Sequence, residues 1–283
     1  MKAFLDKNKW EASIATKWAG CSLQYHDELV STNLTAADLG KEGVPHGTLV
    51  VADKQTGGRG RRGRTWESPA GKNLYFSLLL RPKFPVEKAS MLTLVMAHSV
   101  ARAIEKTVNA TSGRKTDGGC GTLSNRAGIK WPNDILWNGR KVCGILTEMK
   151  VENGRIGYVI IGVGVNVHPQ NFEGELADKA SALEQECGCA VDREVLLQNI
   201  MHAFEQDYEV FAESGDLKPL QAYYHSRLLN KDAQVRVLDP QEPFEGIARG
   251  ITENGELLVE CKDGIVRTVY AGEVSVRGLS GYV

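Results

Sequence analysis

Four arginines lie among glycines in one short run, and these residue types indicate an anion-binding site. The run reads GGRGRRGRTW over residues 57–66. Glycines let a backbone approach an anion closely, and each guanidinium offers forked donors that match phosphate or carboxylate oxygens. The run lacks the Gly-Lys-Ser/Thr of a P-loop and the glycine spacing of a dinucleotide fingerprint. Another kind of anion site is therefore predicted, with an RGG-like nucleic-acid tract or a solvated turn as alternatives.

Two further runs combine polar side chains with strand-like sequence. KWPND over residues 130–134 displays Asn133 and Asp134 beside a proline that interrupts any strand ladder, and Lys141 starts the next apolar run. Amide and carboxylate groups at such a kink could hold a nucleotide or Mg²⁺. GVGVN over residues 162–166 places two glycines in a strand that ends at Asn166, which indicates close approach of a ligand or another backbone. The alternatives are a plain hairpin with polar tips and a β-bulge.

The elements that must position these runs are short strands and amphipathic helices. Strands are predicted over 47–54, 74–80, 128–137, 141–150 and 155–167, and the last two are joined by a hairpin turn at Asn153-Gly154. Apolar spacing predicts helices within 90–108, after an N-cap at Asp192, and over 220–228. The strands do not form a repeating βαβ pattern. The fold class is therefore α+β, with a mixed or antiparallel sheet and flanking helices.

The sequence pattern changes beyond residue 230, where short strand-like runs alternate with turn signals such as Asn254-Gly255 and Asp263-Gly264. This pattern indicates a small β-barrel or meander. We expect a larger domain over 1–230 and a small β domain over 231–283. Residues 111–128 are rich in Gly, Ser, Thr and Asn without periodicity, and a mobile surface insertion is predicted there.

Bulk composition argues against several classes of protein. The chain carries 34 Lys plus Arg against 35 Asp plus Glu, so no global charge favours nucleic acid or an anionic membrane. No apolar run approaches the roughly 18–20 residues that cross a bilayer, and the N-terminal residues lack signal-peptide features. A soluble cytoplasmic protein with six reduced cysteines is expected. Cys187 and Cys189 lack a second pair at zinc-site spacing.

Together these runs resemble the biotin protein ligase family. The family pattern is GRGRxGRxWxSPxGxNLYFS, then KWPNDI followed by K-x-x-GIL-x-E, then G-x-G-x-N. Here the corresponding segments lie at 58–77, 130–134, 141–148 and 162–166. The resemblance implies an ATP-dependent ligase that makes biotinyl-5′-AMP and transfers biotin to a lysine of a biotin carboxyl carrier protein. It also implies a catalytic domain like that of class II aminoacyl-tRNA synthetases, followed by an SH3-like β-barrel.

The resemblance assigns site residues by matching positions. Arg61 and Lys141 are the expected catalytic residues, and Asp134 is the expected Mg²⁺ ligand. The residues expected around biotin are Ser31, Thr32, Asn33, Gln55, Arg59, Gly60, Arg61 and Lys141. Those expected around the nucleotide are Arg61, Arg64, Trp66, Lys130, Asn133, Asp134 and Asn166.

Several alternatives stay open at this point. A lipoate ligase or lipoyl transferase has a related fold and chemistry, although the arginine run and KWPND have the biotin-ligase form. An RNA-binding module using the arginine run is a second alternative, against which the near-zero net charge argues. Bifunctional family members carry an N-terminal DNA-binding winged helix, but Ser31 lies too near the start of this sequence to leave room for one. No sequence-specific DNA binding is therefore expected, and a homodimer and a monomer are both compatible with the sequence.

Overall fold

A seven-stranded sheet forms the larger part of the molecule. The computed structural model describes residues 4–112, 126–239, 241–271 and 275–278. The strands of this sheet are β1 Leu23–Leu29, β2 Thr48–Gln55, β3 Leu74–Leu80, β4 Ala127–Lys130, β5 Asp134–Trp137, β6 Arg140–Glu152 and β7 Arg155–Val165. Their order is β1-β2-β3-β7-β6-β5-β4. Strands β1 and β2 are parallel, and the other neighbours are antiparallel, which confirms a mixed sheet.

Helices cover both faces of the sheet. They are α1 Lys7–Ser13, α2 Thr32–Glu42, α3 Leu92–Ser112, α4 Leu183–Cys187, α5 Arg193–Ser214 and α6 Lys218–Arg227. Helix α2 is the crossover that the parallel pair β1 and β2 requires. Strand β3 is buried along its whole length. Its residues Phe76 and Leu78 belong to the main core with α3 and α5, whereas Leu79 packs in the smaller cluster beneath α2.

The predicted elements agree with the structure where the apolar pattern is strong. Asp192 caps α5 as predicted, accepting from the main-chain N–H groups of Glu194 and Val195. The strand predicted over 128–137 was wrong, because the chain turns at residues 131–133 and makes the two strands β4 and β5. The peptide bond between Trp131 and Pro132 in this turn is cis.

The segment predicted as an insertion over 111–128 is shorter than expected at both ends. Thr111 and Ser112 still belong to α3, and Ala127 and Gly128 belong to β4. Residues 113–125 lie outside the described part of the chain. The sequence patterns did not predict helices α1, α2 and α4 or strand β1. Strand β1 was missed because it has a polar sequence, LQYHDEL, and lies at the edge of the sheet.

A second sheet forms from the last part of the chain, as predicted. Its strands are β8 Gln234–Leu238, β9 Phe244–Ile251, β10 Leu257–Cys261, β11 Val266–Val269 and β12 Ser275–Gly278. They pair antiparallel in the order β11-β10-β9-β8-β12. Trp131 Nε1 donates to the Gly255 carbonyl at 2.9 Å, so this sheet is attached at the turn between β4 and β5. In the described ranges, no helix has the length and apolar character that crossing a membrane would need.

Candidate active site

A cavity lies on the α2 side of the seven-stranded sheet, where β6 and β7 meet the N-terminus of α2, and it contains about 470 Å³ of empty space when its solvent-open mouth is included. The lining contains every residue that the family resemblance assigned to biotin, and it also contains Trp66 and Asn133. The further lining residues, which the sequence patterns did not assign, are Gly144, Ile145, Leu146, Gly162, Val163 and Gly164.

One end of the cavity is built from hydrogen-bonding side chains. Gln55 Oε1, at the end of β2, accepts from the main-chain N–H of Thr32 at 2.9 Å and lies 3.2 Å from the Thr32 hydroxyl. Gln55 Nε2 donates to Ser68 Oγ at 2.9 Å. Ser31 is buried at the N-cap of α2. The end of β2 therefore fixes the first turn of α2 and the residues that follow the arginine run.

Asn33 is held by partners from two strands. Its Nδ2 donates to Glu148 Oε2 at 2.6 Å, and its Oδ1 lies 2.6 Å from the Ser77 hydroxyl. Arg59 Nη2 donates to the same Glu148 oxygen at 3.2 Å. Ser77 and Glu148 were not predicted as site residues. They occur within the quoted motifs, but their contacts with Asn33 span 44 and 115 residues of sequence.

Glycines on β6 and β7 leave room for two of these side chains. A Cβ atom at Gly162 would lie 2.0 Å from Asn33 Oδ1. A Cβ atom at Gly164 would lie 2.5 Å from Trp66 Nε1, and one at Gly144 would lie 2.8 Å from Trp66 Cζ3. The close approach predicted at the GVGVN segment is therefore made by side chains of the protein, an amide and an indole. The half-buried Trp66 ring lies across two adjacent strands.

The arginine run forms a tight turn beside the cavity, with a short 3₁₀ helix over Arg61–Gly63. Arg61 Nη1 donates to Asn133 Oδ1 at 2.8 Å, and its other terminal nitrogen donates to the carbonyl oxygen of Ala271. Burial lowers the pKa of the Arg61 guanidinium, while nearby Asp134 opposes that shift. Arg61 therefore joins the turn at Asn133 to the second sheet.

Two lysines and one carboxylate lie next to this arginine. Lys141 Nζ is 2.7 Å from Asp134 Oδ1 and 5.3 Å from the centre of the Trp66 ring. Lys130 is directly opposite Asp134 in the β4–β5 pairing and is only 6% exposed. Burial lowers the pKa of Lys130 to about 8, and Asp134 partly offsets this effect. This part of the site thus concentrates positive charge around one carboxylate.

Four of the residues assigned to the nucleotide lie outside the lining of the cavity: Arg64, Lys130, Asp134 and Asn166. Arg64 is exposed, and its carbonyl accepts from the Gly60 N–H at 2.7 Å. Asn166 is buried, and its Nδ2 donates to the Ser181 carbonyl at 3.2 Å. That bond joins the end of β7 to the segment before α4. Asn166 therefore has a structural partner in addition to any role in binding.

A metal ion would find a limited set of ligands here. The described ranges contain no group of three or more His, Cys, Asp or Glu side chains that could hold a metal ion. Asp134 is a single carboxylate within a cationic surrounding. Mg²⁺ is commonly held by one or two carboxylates together with substrate phosphates, so Asp134 fits a phosphate-borne ion and not an all-protein cage.

Known proteins with similar sequences and structures include biotin protein ligases. The Biotin/lipoate A/B protein ligase family model matches residues 27–166, and the Biotin protein ligase C terminal domain model matches residues 233–277. The chain is 39% identical over 274 residues to the Bifunctional ligase/repressor BirA of Bacillus subtilis, covering 96% of this chain and 79% of that protein. It is 31% identical over 251 residues to the Biotin--[acetyl-CoA-carboxylase] ligase of Paracoccus denitrificans, covering 88% of this chain and 98% of that protein.

A solved structure gives the same result for the fold. The biotin protein ligase from Aquifex aeolicus, in complex with biotin and ATP, superimposes with a TM-score of 0.74 at 30% identity. The match covers 91% of this chain and 99% of that one, so it includes both sheets.

Proposed function

The chain belongs to the biotin/lipoate A/B protein ligase family, and we propose that it activates biotin with ATP and transfers the biotinyl group to a lysine of a biotin carboxyl carrier protein. One observation carries this proposal. One part of the cavity lining presents the hydroxyl and amide groups of Thr32, Asn33 and Gln55, and another part presents the cations Arg61 and Lys141. Biotin has the same division, with a cyclic urea at one end and a carboxylate at the other.

The reaction needs two displacements. The biotin carboxylate oxygen attacks the α-phosphorus of ATP, which forms the acyl phosphate bond of biotinyl-5′-AMP and releases pyrophosphate. The lysine amine of the carrier then attacks the acyl carbon, which forms an amide and releases AMP with the loss of one amine proton. The first step brings anions together, so fixed cations are the groups that lower its barrier. No protein nucleophile is required.

We assign Lys141 to the meeting point of the carboxylate and the α-phosphate. Lys141 lines the cavity next to Gly144, and its present partner Asp134 keeps the ammonium in place at 2.7 Å. Arg61 is another cation of the lining and is oriented by Asn133. These two groups are proposed to neutralise charge as the phosphorus is attacked. Lys130, Asp134 and Mg²⁺ carried by the nucleotide would serve the outer phosphates.

The polar end of the cavity favours biotin over lipoate. The dithiolane ring of lipoate has no hydrogen-bonding group to match Thr32, Asn33 and Gln55. A site built from buried hydrogen-bonding groups discriminates strongly against an analogue that leaves them unpaired. Biotin and lipoate binding to the same preparation, measured by calorimetry, tests this preference directly.

The domain division and the assembly belong to the same proposal. We propose a catalytic domain over 1–230 and a C-terminal β domain over 231–283, because β8 begins at Gln234 and the C-terminal family model starts at residue 233. A homodimer is compatible with the edge strand β1, which leaves one side of a strand available for pairing.

Exchange of labelled pyrophosphate into ATP tests the first chemical step. Exchange should require biotin in the wild-type protein and should fall about 100-fold or more in Lys141→Ala, the effect of removing one preorganised donor to developing charge. Lys150→Ala is the matched control, since Lys150 lies on the same strand and is exposed. Absence of biotin-dependent exchange in the wild type would refute the proposed activity. Equal exchange in the two variants would refute the role of Lys141.

A further inference from the structure

We propose that Glu148 is a positioning residue that sets the direction of the hydrogen bonds among Asn33, Ser77 and Thr32. These three side chains are called the cavity floor, and the direction of their hydrogen bonds determines how the floor recognises the ligand ring. This inference rests on the proposed function, because it takes the ring to be the cyclic urea of biotin. Glu148 lies on β6, on the same face as Gly144 and Leu146 of the cavity lining. Its carboxylate contacts Asn33 and Arg59, and the mechanism above does not use it.

The orientation of the Asn33 amide sets the direction of the first of these hydrogen bonds. An ionised carboxylate only accepts hydrogen bonds, so the Asn33 group 2.6 Å from Glu148 Oε2 must be the NH₂. The other end of the amide, Oδ1, then points to Ser77 at 2.6 Å. Because Oδ1 only accepts, the single proton of the Ser77 hydroxyl is committed to it.

The direction continues to Thr32. Ser77 Oγ also lies 2.8 Å from Thr32 Oγ1, and its proton is already used for Asn33. The Thr32 proton is therefore directed to Ser77 or to Gln55 Oε1, which is 3.2 Å away. In either case Thr32 offers lone pairs to the cavity. A cyclic urea has two N–H donors, which need acceptors of this kind in a buried site.

A reversed Asn33 amide would change this surface. The NH₂ would then donate to Ser77, and the Ser77 proton would pass to Thr32 Oγ1. One of the lone pairs that Thr32 presents to the ligand would be occupied. Glu148 prevents that arrangement without contacting Thr32, so it acts through Asn33 and Ser77.

The test is a set of steady-state measurements of biotin-dependent pyrophosphate exchange. Glu148→Leu keeps the approximate size of the side chain and removes the acceptor, so only the longer 3.4 Å contact of Asn33 Nδ2 with the Leu146 carbonyl still favours the present amide orientation. We expect the KM for biotin to rise about 10-fold, the scale of leaving one buried N–H donor without its acceptor. The kcat and the KM for ATP should stay within about twofold, and Glu152→Leu, at an exposed position on the same strand, should match the wild type.

Double variants decide the route of the effect. In a Ser77→Ala background, Glu148→Leu should change the KM for biotin less than twofold, because the connection to Thr32 is already cut. In an Arg59→Ala background the 10-fold effect of Glu148→Leu should persist. The inference is overturned if Glu148→Leu leaves the KM for biotin unchanged, if it lowers kcat instead, or if its full effect remains without Ser77. Failure of the wild type to use biotin would instead overturn the proposed function.

Discussion

A methyl group at residue 162 tests whether the cavity floor depends on close approach between Asn33 and β7. In Gly162→Ala, the new Cβ would lie 2.0 Å from Asn33 Oδ1, whereas ordinary contact begins near 3.4 Å. The amide must therefore withdraw by about 1.4 Å. Gly162 is an ordinary strand position in its backbone angles, so the effect comes from lack of space and not from backbone strain.

The magnitude follows from the bonds that the shift disrupts. Asn33 is within 2.6 Å of both Ser77 Oγ and Glu148 Oε2, and a movement of this size breaks both contacts. One neutral hydrogen bond contributes about 1 kcal/mol, and one to a charged group contributes about 1.5–3 kcal/mol. The free energy of unfolding should fall by about 3 kcal/mol. Displacement of the floor by more than 1 Å should weaken biotin binding by at least about 10-fold.

Urea unfolding and titration calorimetry with biotin measure the two effects. Gly157→Ala is the matched control on the same strand, because its Cβ would meet, at 3.1 Å, the carboxyl carbon of the exposed Glu152 side chain, which can move away. The control should unfold within about 0.5 kcal/mol of the wild type and bind biotin normally. A Gly162→Ala protein with wild-type stability and biotin affinity within twofold would show that Asn33 does not depend on this contact.

Three further predictions concern buried charges and buried hydrogen bonds. The pKa of Lys130 is lowered to about 8 from 10.5, so the folded protein loses this charge as the pH rises through about 8. The destabilisation by the buried charge is present in full below pH 8 and fades as the pH rises toward 10.5. The KM for ATP should therefore increase between about pH 7 and pH 9.5 in the wild type, and much less in Lys130→Arg, whose charge persists. Trp131→Phe leaves the Gly255 carbonyl without its 2.9 Å donor, and the free energy of unfolding in urea should fall by about 1–3 kcal/mol. Trp137→Phe is the control and should lose less stability, because the Trp137 indole N–H has no hydrogen-bond partner. Glu205→Gln should lower the thermal midpoint of unfolding by several degrees in calorimetry. The buried Glu205 carboxylate accepts with both oxygens from the main-chain N–H groups of residues 17–19, whereas an amide offers one acceptor oxygen. An unchanged midpoint would contradict this.

Local sequence predicted those parts of the fold in which pattern and burial agree. The apolar run of β3 is buried on both faces, and the Asp192 cap starts α5 where the apolar spacing begins. Strand β1 was missed because an edge strand buries little and needs few apolar residues. The single strand predicted over 128–137 failed at Pro132. Pro132 interrupts the strand ladder, whereas the apolar residues on both sides of it predict one continuous strand.

The site was predicted less completely than the fold because its contacts span long distances in sequence. The residues assigned to biotin lie around one cavity, including Ser31 and Gln55, which are distant in sequence from Lys141, and their binding roles stay predictions. The role of Glu148 depends on a partner 115 residues away, and no local pattern contains that information. The glycines at 162 and 164 were predicted to admit a ligand or a backbone, but Asn33 and Trp66 occupy that space. Identifying what fills such a gap requires coordinates.

The attachment of Arg61 to both sheets has a consequence for the energetics of the whole chain. Its guanidinium donates to Asn133 in one part of the molecule and to Ala271 in the other. An anion that draws the guanidinium out of this position weakens one of these bonds, and in that case ligand affinity and the attachment of the second sheet are linked quantities. Such a coupling is reciprocal: anion binding changes the equilibrium constant for attachment of the second sheet by a certain factor, and loss of that attachment changes the anion affinity by the same factor. Substitutions in the segment around Ala271 can therefore change substrate affinity without lining the cavity.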